Sequence, residues 1–504
     1  MKRRDLLRSF ITLPVFGFFA QRFHVKYSKE LKIADQSESK IWNAFDHHVS
    51  INSSKMSSKG DKIRIGIVGY GMRGPQILRA LGYTDNDWIK KTMDPSGRPN
   101  KLQESFFMQE DLNIEICGIC DTYSLRAEKA AAVAYSKNRS ANAKPQGKPI
   151  IYSTYRDMLE DDNIDAIIIM TPDHWHARMA IDAASLGKHV YLEKPMCQTV
   201  EEAKMLKRVV IDNGIVLQVG HQNRQQASHI RAMEIIHNGM LGKISGVETF
   251  TNRNNDHGAW IRGIDPAANK SNVNWKEFLG HKAWREFDPD RYFNWQKWFE
   301  YGTGPAGNQF SHEYDCVNQI LELGIPGKTV AFGGNYFYND SRDIPDVFNA
   351  LFMYPERGLN LTYDCSLKNS KLRNKTILGE AGTMEVNIGV SVYPDTGTKE
   401  SREKYNDGAP IYAFHPRTGQ VDAYTSATTK YYEERGFGYT FDRGRRIDAT
   451  HLHIKEWLYC IRNNKKPSCG IQQGFEETVT FNMANLSYLE NRIVEWDTEN
   501  ERII

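Results

Sequence analysis

The chain has 504 residues, of which 40% are hydrophobic and 25% charged, and its 65 basic and 62 acidic side chains leave a net charge of +3. This length predicts two or three domains, and the composition excludes a fibrous or disordered chain. The near-neutral charge offers no field that favours nucleic acid, and no apolar run approaches the roughly 20 residues of a membrane span. The seven cysteines do not form a disulfide framework, and their odd number leaves at least one thiol without an internal partner.

Residues 1–20 are typical of an export signal. Three basic residues, Lys2, Arg3 and Arg4, precede an apolar stretch at 10–20, which has the size of a signal h-region. The sequence Arg-Arg-Asp-Leu-Leu-Arg at 3–8 resembles the twin-arginine export signal, which predicts a periplasmic or exported protein. A cytoplasmic protein with a basic N-terminus is the alternative. Residues 21–60 are polar and Ser-rich at their ends, and we expect a linker or a loosely attached arm.

A glycine-rich motif follows a short apolar strand predicted at 63–68. Gly69, Gly71 and Gly74 give the spacing G-x-G-x-x-G, and a helical stretch comes after them at 75–83. Glycine is needed there because the chain turns tightly, and a Cβ would keep a pyrophosphate from the amides at the helix N-terminus. The motif predicts a dinucleotide site, although glycine-rich turns are common.

Asp121, which ends the next predicted strand at 114–120, is the candidate acid for the ribose hydroxyls. A polar stretch at 84–112 separates it from the motif, and we interpret this stretch as an insertion that lengthens a surface loop. The carboxylate would repel a 2′-phosphate, so NAD is favoured over NADP. Arg126 leaves NADP open, and an ordinary acid at a strand end is the alternative for Asp121.

Strands and helices then alternate to residue 222, which predicts a doubly wound parallel sheet. Ligands bind such sheets beyond the carboxyl ends of the strands. Three polar clusters fall at such ends: Thr171-Pro172, Glu193-Lys194-Pro195 and Gly220-His221-Gln222. Their convergence on one edge is a stronger signal than any one of them.

Two other patterns predict no chemistry. Cys117 and Cys120 match C-x-x-C, but they lie within an apolar strand, whereas a redox pair normally lies at a helix N-terminus. His451 and His453 are two residues apart on a predicted helix and therefore do not share a face. We expect no metal site.

Five segments resemble the Gfo/Idh/MocA family of oxidoreductases, over roughly residues 61–500. They are IRIGIVGYGMRG at 63–74, MTPDHWHARMAIDAASLGKHVYLEKPM at 170–196, VGHQNR at 219–224, RYFNWQKWFEYGTG at 291–304 and HLHIKEWLYCIRNNKKP at 451–467. The resemblance implies a Rossmann domain at 61–222 and, at 223–504, an α/β domain whose open, largely antiparallel sheet faces the nicotinamide and forms a subunit interface. It also implies hydride transfer between NAD or NADP and a sugar or another polyol.

The resemblance assigns roles to individual residues. Lys194 would stabilise the oxygen at the reacting carbon, and His312 would be the general base. Asp315 would orient His312, with local capping and pairing as the alternative. Asn308 occupies the position where the family usually has Asp, so it can form a hydrogen bond but carries no charge. By their own chemistry, three aromatic and basic residues are candidates to bind the sugar, with domain packing as the alternative for the tryptophan: Arg291, Tyr292 and Trp295. Together with the glycine motif, the resemblance assigns the cofactor to Gly69, Gly71, Met72, Arg73, Gly74, Asp121, Thr171, Pro172, His176, Glu193, Lys194 and Pro195.

Three functions remain open from the sequence. The first is an NAD-dependent sugar or glycoside oxidoreductase whose cofactor is held tightly, because an exported enzyme does not meet a pool of free NAD. The second is an NAD-dependent glycoside hydrolase or lyase, which would need a further base, with Tyr301, Glu313 and Tyr314 as candidates. The third is a nucleotide-bound binding protein with weakened catalysis, which Asn308 keeps open.

Overall fold

The computed structural model describes residues 62–140, 146–254, 259–404, 408–416, 420–422, 439–442 and 445–504. The predicted export signal at 1–20 and the arm at 21–60 lie outside these residues. None of the described helices is long and apolar enough to cross a bilayer.

The first sheet has six parallel strands in the order β3-β2-β1-β4-β5-β6. The strands are β1 (Ile63–Val68), β2 (Ile114–Cys120), β3 (Ile150–Ile151), β4 (Ala166–Ile169), β5 (His189–Leu192) and β6 (Leu217–Val219). All four residues of β4 are fully buried, because helices cover both faces of the sheet. This strand order confirms the predicted Rossmann topology.

Seven helices belong to this part of the chain: α1 (Gly74–Ala80), α2 (Asn86–Lys91), α3 (Lys101–Phe107), α4 (Ser124–Ala134), α5 (Tyr155–Leu159), α6 (Asp173–Ser185) and α7 (Val200–Asn213). The insertion at 84–112 is not the plain loop that we expected, since it contains α2 and α3. Asp85 and Asn100 cap these helices, and Trp88 packs edge-on against Phe106 with ring centroids 5.2 Å apart. The insertion leaves β1 and β2 paired as neighbours.

Within the described residues, the second sheet has eleven strands in the order β15-β14-β13-β12-β11-β7-β10-β9-β8-β18-β19, of which only β7 and β10 pair in parallel. Its strands are β7 (Ile244–Asn252), β8 (Lys328–Gly334), β9 (Val347–Tyr354), β10 (Leu359–Ser366), β11 (Lys375–Gly379), β12 (Gly382–Val386), β13 (Val390–Pro394), β14 (Tyr412–His415), β15 (Gln420–Asp422), β18 (Val494–Asp497) and β19 (Arg502–Ile503). A separate hairpin is formed by β16 (Tyr439–Asp442) and β17 (Arg445–Asp448). This sheet confirms the predicted open, largely antiparallel architecture.

The remaining helices are α8 (Ala227–His237), α9 (Trp275–Leu279), α10 (Pro289–Phe293), α11 (Ser311–Leu321), α12 (Lys399–Lys404), α13 (Ala449–Asn463) and α14 (Ile471–Glu490). A short π-helical segment, Ala306–Phe310, leads directly into α11. Together, α11 and α14 pack beneath the second sheet and carry side chains toward the ligand edge of the first.

The C-terminal helices cross the domain boundary predicted at residue 222. The apolar stripe of α13, with Ile454, Trp457 and Leu458, packs into the same core as Ile63 and Ile65 of β1. An exposed face of a parallel sheet has to be covered, and here a segment from the far end of the chain covers it. In the same way, α14 contributes apolar side chains to the cores of both sheets.

Candidate active site

The glycine-rich turn between β1 and α1 forms an open cradle. Gly69 has a φ of +85°, and a Cβ there would lie 2.7 Å from the carbonyl oxygen of Met170. A Cβ on Gly74 would lie 2.5 Å from the ring of Tyr70. At Gly71, by contrast, the nearest atom to an added Cβ is a guanidinium nitrogen of Arg126, 4.0 Å away. The first and third glycines are therefore required by the fold, whereas Gly71 leaves space for a phosphate group.

Asp121 directly follows β2 and lies against this turn. Its Oδ2 accepts a hydrogen bond from the Tyr70 amide at 2.5 Å, and its Oδ1 accepts one from the Tyr123 amide at 2.8 Å. Burial raises the pKa of Asp121, which the nearby Arg126 guanidinium partly opposes. The carboxylate is thus fixed at the place where a Rossmann fold binds the ribose hydroxyls.

Arg73 and Glu193 join the glycine turn to the end of β5. Arg73 Nε donates to Glu193 Oε1 at 2.8 Å, and its Nη1 donates to Gln76 at 2.7 Å. Met72, one residue earlier, is 63% exposed. The ion pair therefore fixes the glycine turn relative to Lys194, which directly follows Glu193.

The residues after β4 hold the ends of two strands together. The ring nitrogens of His176 contact the carbonyl oxygens of Pro195, at 2.7 Å, and Thr171, at 2.9 Å. Burial lowers the pKa of His176, and its contacts with the two carbonyl oxygens oppose this shift. The contacts of His176 thus hold the ends of β4 and β5 together beside Lys194. Pro172 directly precedes the helix that begins at Asp173.

Lys194 is a half-buried cation of the site. Its Nζ donates to the backbone carbonyl of Asn308 at 2.8 Å, and its peptide bond to Pro195 is cis. Burial lowers the pKa of Lys194, while the carboxylates of Asp173 and Glu193 act in the opposite direction. The sequence interpretation missed Asp173, although it lies inside the T-P-D segment: its carboxylate accepts a hydrogen bond from Thr303 at 2.8 Å, and burial raises its pKa to about 7.

Asn308 and His312 lie one turn apart, across the junction between the π-helical segment and α11. Asn308 Oδ1 accepts a hydrogen bond from Gln296 at 2.9 Å, and its Nδ2 has no hydrogen-bond partner among the described residues. The pKa of His312 is lowered by burial first, and next by the positive charge of Lys194. The fold therefore brings Lys194 and His312 into one neighbourhood, although 118 positions separate them in the sequence.

The carboxylate of Asp315 lies against charged side chains from the segment after β6. It forms an ion pair with Arg224 at 2.7 Å and lies 3.8 Å from a ring nitrogen of His221. Glu477 of α14 contacts the other ring nitrogen of His221. Local sequence spacing carries no signal for Glu477, because it lies more than 250 residues after His221.

The glycine turn, Asp121, Lys194 and Asn308 line one cleft of about 260 Å³. Of the three residues predicted to bind the sugar, Tyr292 and Trp295 also line this cleft. Tyr292 lies beside Asp121, with its hydroxyl 3.0 Å from the Thr122 hydroxyl.

Arg291 is placed differently from the other two, since it is not among the residues that line the cleft. It pairs with Glu300 at 3.0 Å, and its guanidinium lies over the ring of Trp298. Its neighbours are therefore side chains of the same segment.

The cysteines and the C-terminal histidines have structural surroundings. Burial raises the pKa of Cys117 to about 11 and that of Cys120 to about 12, and both thiols are free. His451 contacts the carbonyl oxygen of Ala80, and His453 that of Val219. Each of these groups has the surroundings of a packed core residue.

The family model of the Gfo/Idh/MocA oxidoreductases, which describes an NAD-binding Rossmann fold, matches residues 63–221. A glycosyl hydrolase family 109 protein of Shewanella baltica (strain OS155 / ATCC BAA-1091) is 30% identical over 151 residues, 29% of this chain and 26% of the relative. A family 109 protein 1 of Shewanella sp. (strain MR-4) is 39% identical over 97 residues, 18% of this chain and 20% of the relative. The chain thus spans about a quarter or less of the length of these curated relatives.

Solved structures share the two-sheet fold. Levoglucosan dehydrogenase in complex with NADH and levoglucosan has a TM-score of 0.56 at 16% identity, covering 86% of this chain and 99% of the other. WlbA dehydrogenase from Bordetella pertussis in complex with NADH and UDP-GlcNAcA has a TM-score of 0.54 at 19% identity, covering 87% and 98%. The strand order, the glycine cradle and the matching family model agree on the first domain. Residues 63–221 therefore match the Gfo/Idh/MocA oxidoreductase model, which describes an NAD-binding Rossmann fold.

Proposed function

We propose that this protein is an NAD-dependent oxidoreductase that exchanges hydride between a hydroxyl-bearing carbon of a sugar or glycoside and the nicotinamide. The observation that carries the proposal is the contact between Lys194 and Asn308 in the cleft that also contains the glycine cradle. This contact joins a half-buried ammonium of the first domain to a backbone carbonyl of the second at one end of the proposed dinucleotide cleft. The dehydrogenases that share the fold are complexes with NADH and sugars, which supports the substrate class.

Two donors are available for the substrate oxygen. The ammonium of Lys194 can bind the oxygen and stabilise the negative charge that grows on it when the O–H bond breaks. Asn308 lines the same cleft, and its buried Nδ2, which has no partner among the described residues, is the proposed second donor. An amide in place of the family's carboxylate keeps this end of the cleft free of a further negative charge.

His312 is the proposed general base. Its lowered pKa leaves the imidazole neutral near pH 7, with a nitrogen lone pair that can accept the hydroxyl proton. The substrate O–H bond breaks, the proton passes to the ring nitrogen, and the carbon releases its hydrogen with the electron pair. NAD, when bound, supplies the acceptor for that hydride.

The part of the chain around residues 272–277 is bonded to the loop that follows β2, beside Asp121. The Ser124 amide donates to the Asn272 carbonyl at 2.9 Å, and the Asn274 amide donates to the Thr122 carbonyl at 2.7 Å. Arg156 adds an ion pair to Glu277 at 2.8 Å. These bonds hold the second domain against the first beside Asp121, which supports a tightly bound cofactor that is regenerated within the site.

Nucleotide analysis of the protein as purified tests this retention. We expect stoichiometric NAD or NADH that survives gel filtration. An empty site that takes up NADH only weakly would overturn the tight-binding proposal. The assignment of the fold would not be affected.

Incubation with a panel of glycosides tests the reaction. A keto-sugar formed together with NADH, or by exchange with a second sugar, supports the proposed oxidoreductase. A cleaved glycoside without net redox change would instead indicate the hydrolase chemistry suggested by the names of the curated relatives. No product from a broad panel would favour a binding protein.

Two of the three candidate bases for a hydrolase are already engaged. Glu313 pairs with Lys375 at 3.0 Å, and the Tyr314 hydroxyl donates to the Gly324 carbonyl at 2.7 Å. Among the described residues, the Tyr301 hydroxyl has no such bond to a group outside the aromatic segment at 291–304. This arrangement is the reason to favour an oxidoreductase over a hydrolase.

Export and assembly complete the proposal. The basic start and apolar stretch of residues 1–20 support export by the twin-arginine route, and cell fractionation of the protein with Arg3 and Arg4 replaced by Lys tests it.

The outward face of the second sheet supports a homo-oligomer, because Phe332 on β8 is 61% exposed there. Light scattering of the purified protein gives the number of subunits.

A further inference from the structure

A buried group of charged side chains lies behind His312, and the proposed reaction does not use it. It consists of His221, Arg224, Asp315 and Glu477, whose side chains are at most 6% exposed. One ring nitrogen of His221 contacts Glu477, and the other lies 3.8 Å from Asp315. Burying a histidine between two carboxylates costs free energy, so such a group in a core calls for a functional explanation.

The fold brings this group directly to His312. His221 follows β6, Asp315 is on α11 one turn beyond His312, and Glu477 is on α14. The rings of His221 and His312 are nearly perpendicular, with centroids 5.6 Å apart. Three elements that are remote in sequence therefore place one imidazole beside another.

His221, Asp315 and Glu477 are also close enough together to be considered as metal ligands. Two features favour a proton over a metal ion. His221 and Glu477 are already in direct contact, which leaves no room for an ion between them. Arg224 pairs with Asp315 at 2.7 Å, and its guanidinium would repel a cation.

We propose that His221, clamped between Glu477 and Asp315, is a positioning residue that holds a positive charge beside His312 and so keeps His312 uncharged and able to accept a proton. This inference rests on the proposed role of His312 as the base. The charged groups that act on His312 are Lys194, Arg73 and Lys375 besides His221. Those that act on His221 are Asp315 and Glu477, with Arg224 opposing them.

The direction of the electrostatic effect follows from these charges. Burial alone would lower the pKa of His221, but the two carboxylates outweigh it and raise that pKa. His221 and Glu477 together then carry no net charge. Replacing His221 by a neutral side chain leaves the Glu477 carboxylate uncompensated, and a negative charge there favours the protonated form of His312. Replacing both His221 and Glu477 by neutral side chains removes this uncompensated negative charge.

Three variants test the proposal by nuclear magnetic resonance titration of His312 in the holoenzyme without substrate. We expect His221→Asn to raise the titration midpoint of His312 by about one pH unit, a tenfold change in its proton affinity. The double variant His221→Asn with Glu477→Gln restores most of the wild-type midpoint. A purely structural role predicts the opposite order, because the double variant then disturbs the core more than the single one.

Two controls accompany these variants. Glu477→Gln alone keeps the imidazole and removes a negative charge, so the midpoint of His312 falls or stays. A rise in that variant overturns the proposal even where His221→Asn does not fold. His237, exposed at the end of α8, is the matched histidine, and we expect His237→Asn to leave the midpoint unchanged.

The pH profile of sugar oxidation gives the second measurement. We expect the acid limb of kcat/KM, which reports the enzyme without substrate, to move upward in His221→Asn by the same amount as the titration and to return in the double variant. An unshifted His312 midpoint in His221→Asn overturns this inference, whereas a wild-type protein that oxidises no sugar overturns only the proposed function. One equivalent of a divalent metal in the purified protein, lost in Glu477→Gln, would show that the group is a metal site instead.

Discussion

Two matched substitutions in the glycine-rich turn separate its contribution to folding stability from its contribution to cofactor binding. Gly69→Ala forces a side chain into a backbone with a φ of +85° and places its Cβ 2.7 Å from the Met170 carbonyl oxygen. A left-handed residue with a Cβ costs about 1–2 kcal/mol. The backbone contact adds to this cost, because β4 has to shift, so we expect a loss of about 2–4 kcal/mol.

Gly71→Ala makes the same chemical change without that strain. Its φ is not in the left-handed region, and the nearest atom to the new Cβ is 4.0 Å away. We therefore expect the free energy of unfolding to change by no more than about 0.5 kcal/mol. The methyl group points into the space proposed for the pyrophosphate, and we expect NADH affinity to fall at least tenfold, which is about 1.4 kcal/mol.

Urea unfolding of the nucleotide-free protein measures the stability of both variants, and NADH fluorescence titration measures binding. Stability and affinity should respond separately: Gly69→Ala loses stability, and Gly71→Ala loses affinity. Wild-type affinity in Gly71→Ala would refute the placement of the pyrophosphate over this turn. Wild-type stability in Gly69→Ala would refute the steric account of the first glycine.

Three further substitutions probe the reacting end of the cleft. Lys194→Met removes the ammonium that we assign to the substrate oxygen and should lower kcat about 100- to 1000-fold with NADH affinity retained. Lys204→Met, remote on α7, is the matched control. A small effect of Lys194→Met on kcat would contradict the assignment. Asp173→Asn should stabilise the protein at pH 8 by at most about 4 kcal/mol in urea unfolding, and much less at pH 4. The reason is that the carboxyl pKa is raised from 3.8 to about 7, so the folded protein holds an extra proton in that window and wild-type stability falls as the pH rises through it. Asn308→Asp keeps the acceptor for Gln296 but removes the Nδ2 donor and adds a negative charge where charge grows on the substrate oxygen, so we expect kcat to fall about tenfold in steady-state assays, and a rise in kcat would refute the donor role of Asn308.

Much of the first domain could be predicted from local sequence. The apolar run that forms β4 and the period of the helices between the strands identify a parallel sheet, because both patterns depend only on burial along one element. The clusters at the strand ends follow from the same logic, since the carboxyl ends of parallel strands meet at one edge. The insertion at 84–112 was harder to interpret, because the short helices α2 and α3 depend on two caps and one aromatic contact rather than on a long period.

The sequence by itself determined the nucleotide fold and the residues available for chemistry, including Lys194 and His312, because glycine turns and strand ends leave local patterns. Only the tertiary structure decided which of these residues meet. It paired Asp315 with Arg224, placed Arg291 against Glu300, and brought Glu477 to His221 from α14. The physical reason is that buried charges select their partners by distance in the folded core, and that distance is independent of separation along the chain.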